Sequence, residues 1–197
     1  MNDADRVAAG ILRANDAVLA EIGRITVLFS YIEDCLVHDA LELARIGGDN
    51  ELQEAAVSTR LEQLRVMEKR NFLKQVVAEI GRFHGVDHRR VHDILDDFGD
   101  IYRRRRSIVH GWIRWSEDRG TIIFVDSHGT SVPVAEVADL NMKVLEWIEQ
   151  YYAEQRTLMR DVLGAYNSFA DRFLQHPRTP PVLRTLLEKL NTDFADS

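Results

Sequence analysis

A mainly α-helical fold with a small β-hairpin is predicted by three observations. Apolar residues recur at spacings of three and four over most of the chain, as on one face of a helix. One short stretch, residues 112–125, is instead rich in β-branched and aromatic residues. The few prolines, four in all, gather mostly near the C-terminus, where Pro177, Pro180 and Pro181 interrupt the helical pattern.

The bulk properties bound the rest. The 197 residues suffice for one domain with a core. An apolar fraction of 45% and a charged fraction of 29% are ordinary for a globular protein. The formal net charge of −7 argues against a general nucleic-acid coat, but leaves room for a small basic pocket. The single cysteine, Cys35, excludes an internal disulfide and reads as a small buried hydrophobe. Met1 to Arg6 is polar and no apolar segment follows it, so a signal peptide is not expected. No apolar run has membrane-spanning length. A cytoplasmic protein without membrane contact is expected.

Residues 4–46 read as helix, with a break near Asn15 or Gly23. Ile22, Ile25, Phe29, Ile32, Leu36 and Ala40 fall on one face, and Gly47-Gly48 ends the segment. Residues 51–83 are helical again, in two pieces if the capping box Thr59-x-x-Glu62 restarts the helix. Leu61, Leu64, Phe72, Val76, Ile80 and Phe83 are its apolar positions. His84-Gly85-Val86 is a turn, and Asp87 caps a helix over 88–110 whose stripe includes Val91, Leu95, Phe98, Tyr102 and Ile108. Gly111 ends it as a left-handed C-terminal glycine would. Residues 112–115 and 121–125 then form a hairpin around a loop at 116–120, with a third short strand at 131–133. A long helix covers 134–174, and a short one follows over 182–193. One domain is therefore expected over residues 1–175, with the hairpin at about 112–126 and a proline-bounded helical appendage at 176–197.

Four consecutive arginines, Arg103 to Arg106, stand out in an acidic chain. At about 100° per residue, Arg105 falls at the centre of the stripe of Ile94, Phe98, Ile101, Ile108 and Val109, where an apolar residue belongs. Arg104 and Arg106 flank the stripe and Arg103 points away from it. A buried guanidinium needs a partner, either an internal carboxylate or a visiting anion. His110 closes the same helix, where the helix dipole favours an imidazolium suited to proton transfer. Asp96, Asp97 and Asp100 could instead pair with the arginines along the helix, which is the purely structural reading.

The stretch Arg105-Arg106-Ser107-Ile108-Val109-His110-Gly111 resembles the R-x4-6-H motif of the HEPN superfamily. The order of elements over residues 20–160, including the helix bearing Phe29, Ile32 and Glu33, is similar as well. The resemblance implies a homodimeric, metal-independent endoribonuclease with no cofactor. It implies catalytic roles for Arg105, on the scissile phosphate, and His110, in proton transfer. Arg103, Arg104, Arg106 and Trp112 would then contact RNA. Arg106 departs from the Asn, Asp or His frequent at that position. Many HEPN-like domains only bind or dimerise, so a non-catalytic module that recognises a protein partner is the alternative.

Two further groups carry chemistry. His84, His88 and His92 are spaced by four, and two histidines one turn apart could chelate a metal, but no second cluster supplies the remaining ligands. No metal site is therefore expected. Trp115 and Phe124 of the hairpin, like Trp112, are candidates for stacking on bases.

Overall fold

The computed structural model describes residues 3–13, 15–46, 58 and 61–173. It is mainly α-helical, with one small antiparallel sheet. Helix α1 spans Asp3–Arg13 and α2 spans Asp16–Ile46. The break lies at Asn15, not Gly23, because the Asn15 side chain turns back to accept the backbone N–H of Val18 at 3.2 Å. Gly23 continues inside α2. The stripe on α2 is as expected, with Ile25, Phe29, Ile32, Leu36 and Ala40 buried. Gly47, Gly48 and Thr59 lie outside the described residues, as do the expected C-terminal helix and the three prolines before it.

A short helical turn at 61–63 gives way at Leu64-Arg65, and α3 runs over Val66–His84. Its start is held by Glu68, whose carboxylate accepts the Arg65 backbone N–H at 2.6 Å. Of the expected apolar positions, Phe72, Val76 and Ile80 are buried, whereas Phe83 is exposed and edge-on to the His84 ring. Gly85 ends α3 in the left-handed region, with φ at 68°. The Asp87 carboxylate then accepts the N–H of Arg89, the first residue of α4, Arg89–His110.

Strands β1 (Trp112–Ser116), β2 (Thr121–Val125) and β3 (Ser131–Pro133) form an antiparallel sheet in the order β1-β2-β3. Ile113 pairs with Phe124 and Trp115 with Ile122, so these four share one face. Trp112 and Arg114 share the other. A 3₁₀ turn over Val134–Glu136 leads into α5, Val137–Phe173, whose 37 residues span roughly 55 Å.

The chain divides into two compact units. One takes in Met1–Tyr31 and Asp97–Glu149, the other Ile32–Asp96 and Gln150–Ser197. In the first, the aromatic rings of Phe29, Phe98 and Trp147 meet at centroid distances of 5.6 and 5.0 Å, and Ile108, Phe124 and Leu140 are buried as well. Helix α1 packs against β1, and Asp5 accepts the backbone N–H of Trp115 at 3.4 Å. In the second, Leu36, Leu73, Ile80, Leu95 and Leu158 are fully buried, and Asp39, Lys69 and Gln155 are buried among them. Lys69 meets Glu33 at 2.5 Å. Among the described residues no helix is long and apolar enough to cross a membrane.

Candidate functional site

The four arginines occupy four different environments, in the order that helical phase dictates. Arg103 is exposed and pairs with Asp100 at 3.3 Å, one turn back. Arg104 reaches across to Glu136 in the 3₁₀ turn, at 2.5 Å. Arg105 is half-buried, and its guanidinium carbon lies 5.4 Å from the centroid of the Phe29 ring. This position over an aromatic face attracts a cation through the ring quadrupole. Arg106 is half-buried, and its side chain makes no ion pair or hydrogen bond among the described residues.

His110 is exposed at the end of α4, again with no side-chain partner among the described residues. Helix α4 is regular through His110. Arg105 and His110 are thus separated by about 140° around the axis, and one chain does not bring them together. Arg106 and His110 are four residues apart, about 40° in azimuth, and therefore share a face.

The backbone just beyond His110 is tightly built. Gly111 donates its N–H to the carbonyl of Ser107 at 3.0 Å. A Cβ at Gly111 would stand 2.1 Å from the Ser107 carbonyl oxygen and 2.8 Å from that of Val125. The glycines with positive φ are Gly85, Gly120 and Gly129. Gly111 is therefore not the left-handed cap expected from the sequence; it is required by the close approach of the Ser107 carbonyl at the end of α4 and of the Val125 carbonyl in β2.

Buried Ser107 donates to the Arg103 carbonyl at 3.1 Å. Asp126 in turn accepts the N–H groups of His128 and Thr130, at 2.9 and 3.0 Å. Burial pushes the Asp126 carboxyl up, but these hydrogen bonds outweigh it and hold it below the usual carboxylate range. Asp126 thus closes the turn after β2. Its signal in the sequence is the run Asp126-Ser127-His128-Gly129, an Asx-type turn closed by a glycine.

On the sheet, Trp112 is 59% exposed and Trp115 41% exposed, while Phe124 is buried core and excluded from stacking. Arg114, not singled out in the sequence, is exposed on the same sheet face as Trp112. Strand alternation alone would have paired them.

The three spaced histidines are not drawn into one ligand set among the described residues. His84 is half-buried, and burial lowers its pKa. The His88 ring sits 3.3 Å from the Val86 carbonyl, and His92 sits 3.5 Å from Asp96, which also binds Lys74 and Arg70.

Comparison with protein-family models, with curated proteins and with solved structures finds no match.

Proposed function

We propose that the end of α4 and the outer face of β1 bind single-stranded RNA, and that the chain is a HEPN-like, metal-independent endoribonuclease acting as a homodimer. The observation that carries this reading is the pairing of Arg106 with His110. Both lie on one helix face without a side-chain partner among the described residues, while Arg103 and Arg104 are engaged with acids. An arginine can grip a phosphate while an imidazole one turn away moves protons on the ribose oxygens beside it. Exposed Trp112 and Arg114 supply a stacking surface and a further cation beside them in sequence.

In this reading an imidazole at His110 takes the proton of the ribose 2′-hydroxyl, whose oxygen attacks phosphorus. The bond to the 5′ oxygen breaks, and an imidazolium returns a proton to that oxygen. The products are a 2′,3′-cyclic phosphate and a 5′-hydroxyl. Arg106 holds the phosphate within one chain. Arg105, the arginine that the motif names, serves only if a second copy presents it.

The test is cleavage of single-stranded and structured RNAs in EDTA. His110→Ala is expected to lower the rate about 10²- to 10⁴-fold. Loss of the phosphate-holding arginine is expected to lower it about 10²- to 10³-fold, so Arg105→Ala and Arg106→Ala identify which one acts. Trp112→Ala is expected to weaken single-strand binding by roughly 5- to 150-fold, the stacking contribution of one base. Cleavage that survives His110→Ala, or no cleavage of any RNA, overturns the catalytic reading.

A non-catalytic, partner-binding role has its own support. In the first unit Val7 and Ile11 are exposed one turn apart on α1, and Val27 and Tyr31 one turn apart on α2, so each helix presents an apolar pair to a partner. Retained RNA or protein binding without cleavage is the outcome that favours it.

A further inference from the structure

We infer that His38, Asp39 and Glu42 on α2 form a zinc-binding site, with Tyr151 of α5 orienting the Asp39 carboxylate. The site lies wholly within the second unit and does not depend on the ribonuclease reading.

The geometry starts from helical spacing. His38 and Glu42 are one turn apart, the separation at which two side chains of one helix converge on a single point. Asp39 lies beside them, and the three ligand atoms fall within 4.8 Å of one another. His38 Nδ1 and Asp39 Oδ1 are 3.5 Å apart. That is long for a hydrogen bond. It matches the edge of a tetrahedral zinc site, where bonds of about 2.0–2.2 Å set neighbouring ligands about 3.3–3.5 Å apart. Glu42, with three side-chain torsions, places its carboxylate oxygen within 4.8 Å of both.

Burial gives the second argument. The Asp39 side chain is only 5% exposed, while that of His38 is 67% exposed. A carboxylate is thus set beneath an accessible imidazole. A buried carboxylate is costly unless it is paired. Tyr151 donates its hydroxyl to Asp39 Oδ2 at 2.7 Å, which fixes the orientation of the group but supplies no opposite charge. The Tyr151 side chain is itself buried, so it holds that carboxylate from the inside of the fold. The remaining oxygen, Oδ1, faces His38. Beside it, Glu42 adds a second carboxylate within 4.8 Å. A divalent cation between the three resolves both the burial and the repulsion. A hydroxyl holding a ligating carboxylate is a common outer-shell arrangement in metal sites. The imidazole selects zinc over calcium or magnesium, which prefer oxygen ligands alone. Three protein ligands leave the fourth tetrahedral position to water.

The experiment is calorimetric titration of the full-length, EDTA-stripped chain with zinc chloride. One equivalent is expected to bind saturably. His38→Ala and Glu42→Gln are each expected to weaken binding by at least about tenfold, and Tyr151→Phe by about 10- to 100-fold as an outer-shell change. A His88→Ala, His92→Ala double variant is expected to bind as the wild type does. Protection of His38 from diethyl pyrocarbonate by zinc, mapped on the unmodified chain, gives a readout that needs no variant. The inference is overturned by the absence of saturable one-to-one binding. It is overturned equally by binding that His38→Ala and Glu42→Gln leave intact, by binding that the double variant removes, or by His38 modified equally with and without zinc.

Discussion

Gly111→Ala should be among the most damaging single-methyl additions in this chain, and the reason is steric. A Cβ there would meet the Ser107 oxygen at 2.1 Å and the Val125 oxygen and carbon at 2.8 and 3.0 Å. All three are backbone atoms, so no side chain can rotate out of the way. Either the end of α4 or strand β2 must move by close to an ångström. Overpacking usually costs about 1–3 kcal/mol, and backbone contacts on two elements place this case near 3 kcal/mol. At roughly 2–4 °C per kcal/mol for a chain of this size, the Tm should fall by about 6–12 °C. Gly23→Ala supplies the opposite control. Gly23 lies inside α2 with nothing within 4 Å of its added Cβ. Replacing it should stabilise by about 0.8–1 kcal/mol through helix propensity and raise the Tm by about 2–4 °C. Gly111→Asn separates the two explanations for the glycine. Asparagine is tolerated in the left-handed region, so it would rescue a C-terminal cap. It cannot relieve a backbone clash and should behave like alanine. Thermal unfolding followed by circular dichroism decides. A Gly111→Ala Tm within a degree of wild type, a full Asn rescue, or a Gly23→Ala loss would refute the reasoning.

Two buried charges of the second unit make further predictions. Burial raises the Asp39 carboxyl above its ordinary value, and Glu42 pushes the same way against the Tyr151 and His38 interactions. Between the ordinary and the raised value the folded chain holds a proton that the unfolded chain releases, so this group's contribution to stability declines as pH rises through that window. Measured in EDTA, Asp39→Asn should therefore gain on wild type from acidic to neutral pH; a Tm difference that stays constant or shrinks counts against the assignment. Lys69 is 7% exposed at its side chain and bound to Glu33. Glu33→Ala, which strands that ammonium, should cost about 1.5–3 kcal/mol by denaturant unfolding. Lys69→Met should cost far less, because it removes the charge along with its need for a partner; equal losses in the two variants would contradict this.

The sequence was legible wherever a single local rule decided the outcome. Period-3.6 spacing placed the α2 stripe from Ile25 to Ala40, and β-branched runs placed the hairpin and its short third strand. Helical phase also set exposed Arg103 apart from the half-buried Arg104, Arg105 and Arg106. Their partners were not legible, because Glu136 lies 32 residues from Arg104, and Phe29 reaches Arg105 only through tertiary packing. The restart of α3 was missed because only Glu68 caps it, through the Arg65 N–H, and the N-cap position lacks the usual Ser or Thr. Asp39 and Lys69 were missed for a different reason. Pattern reading counts apolar residues, and a charged residue on a buried face looks like a gap in the stripe until its partner, Tyr151 or Glu33, is seen.

Helix α1 covers the outer edge of β1, where Asp5 takes up the Trp115 amide. An uncovered edge strand is a template for another chain. Yet this guard is only 11 residues long and buries just Ala8 and Leu12. Its release should therefore be a partial opening, far less costly than global unfolding. Amide exchange at Trp115 would then report that opening. Trimming the chain before Asn15, or fusing a bulky tag close to Asp5, would tend to leave a molecule whose helices are intact and whose sheet recruits its neighbours into oligomers by edge-to-edge pairing.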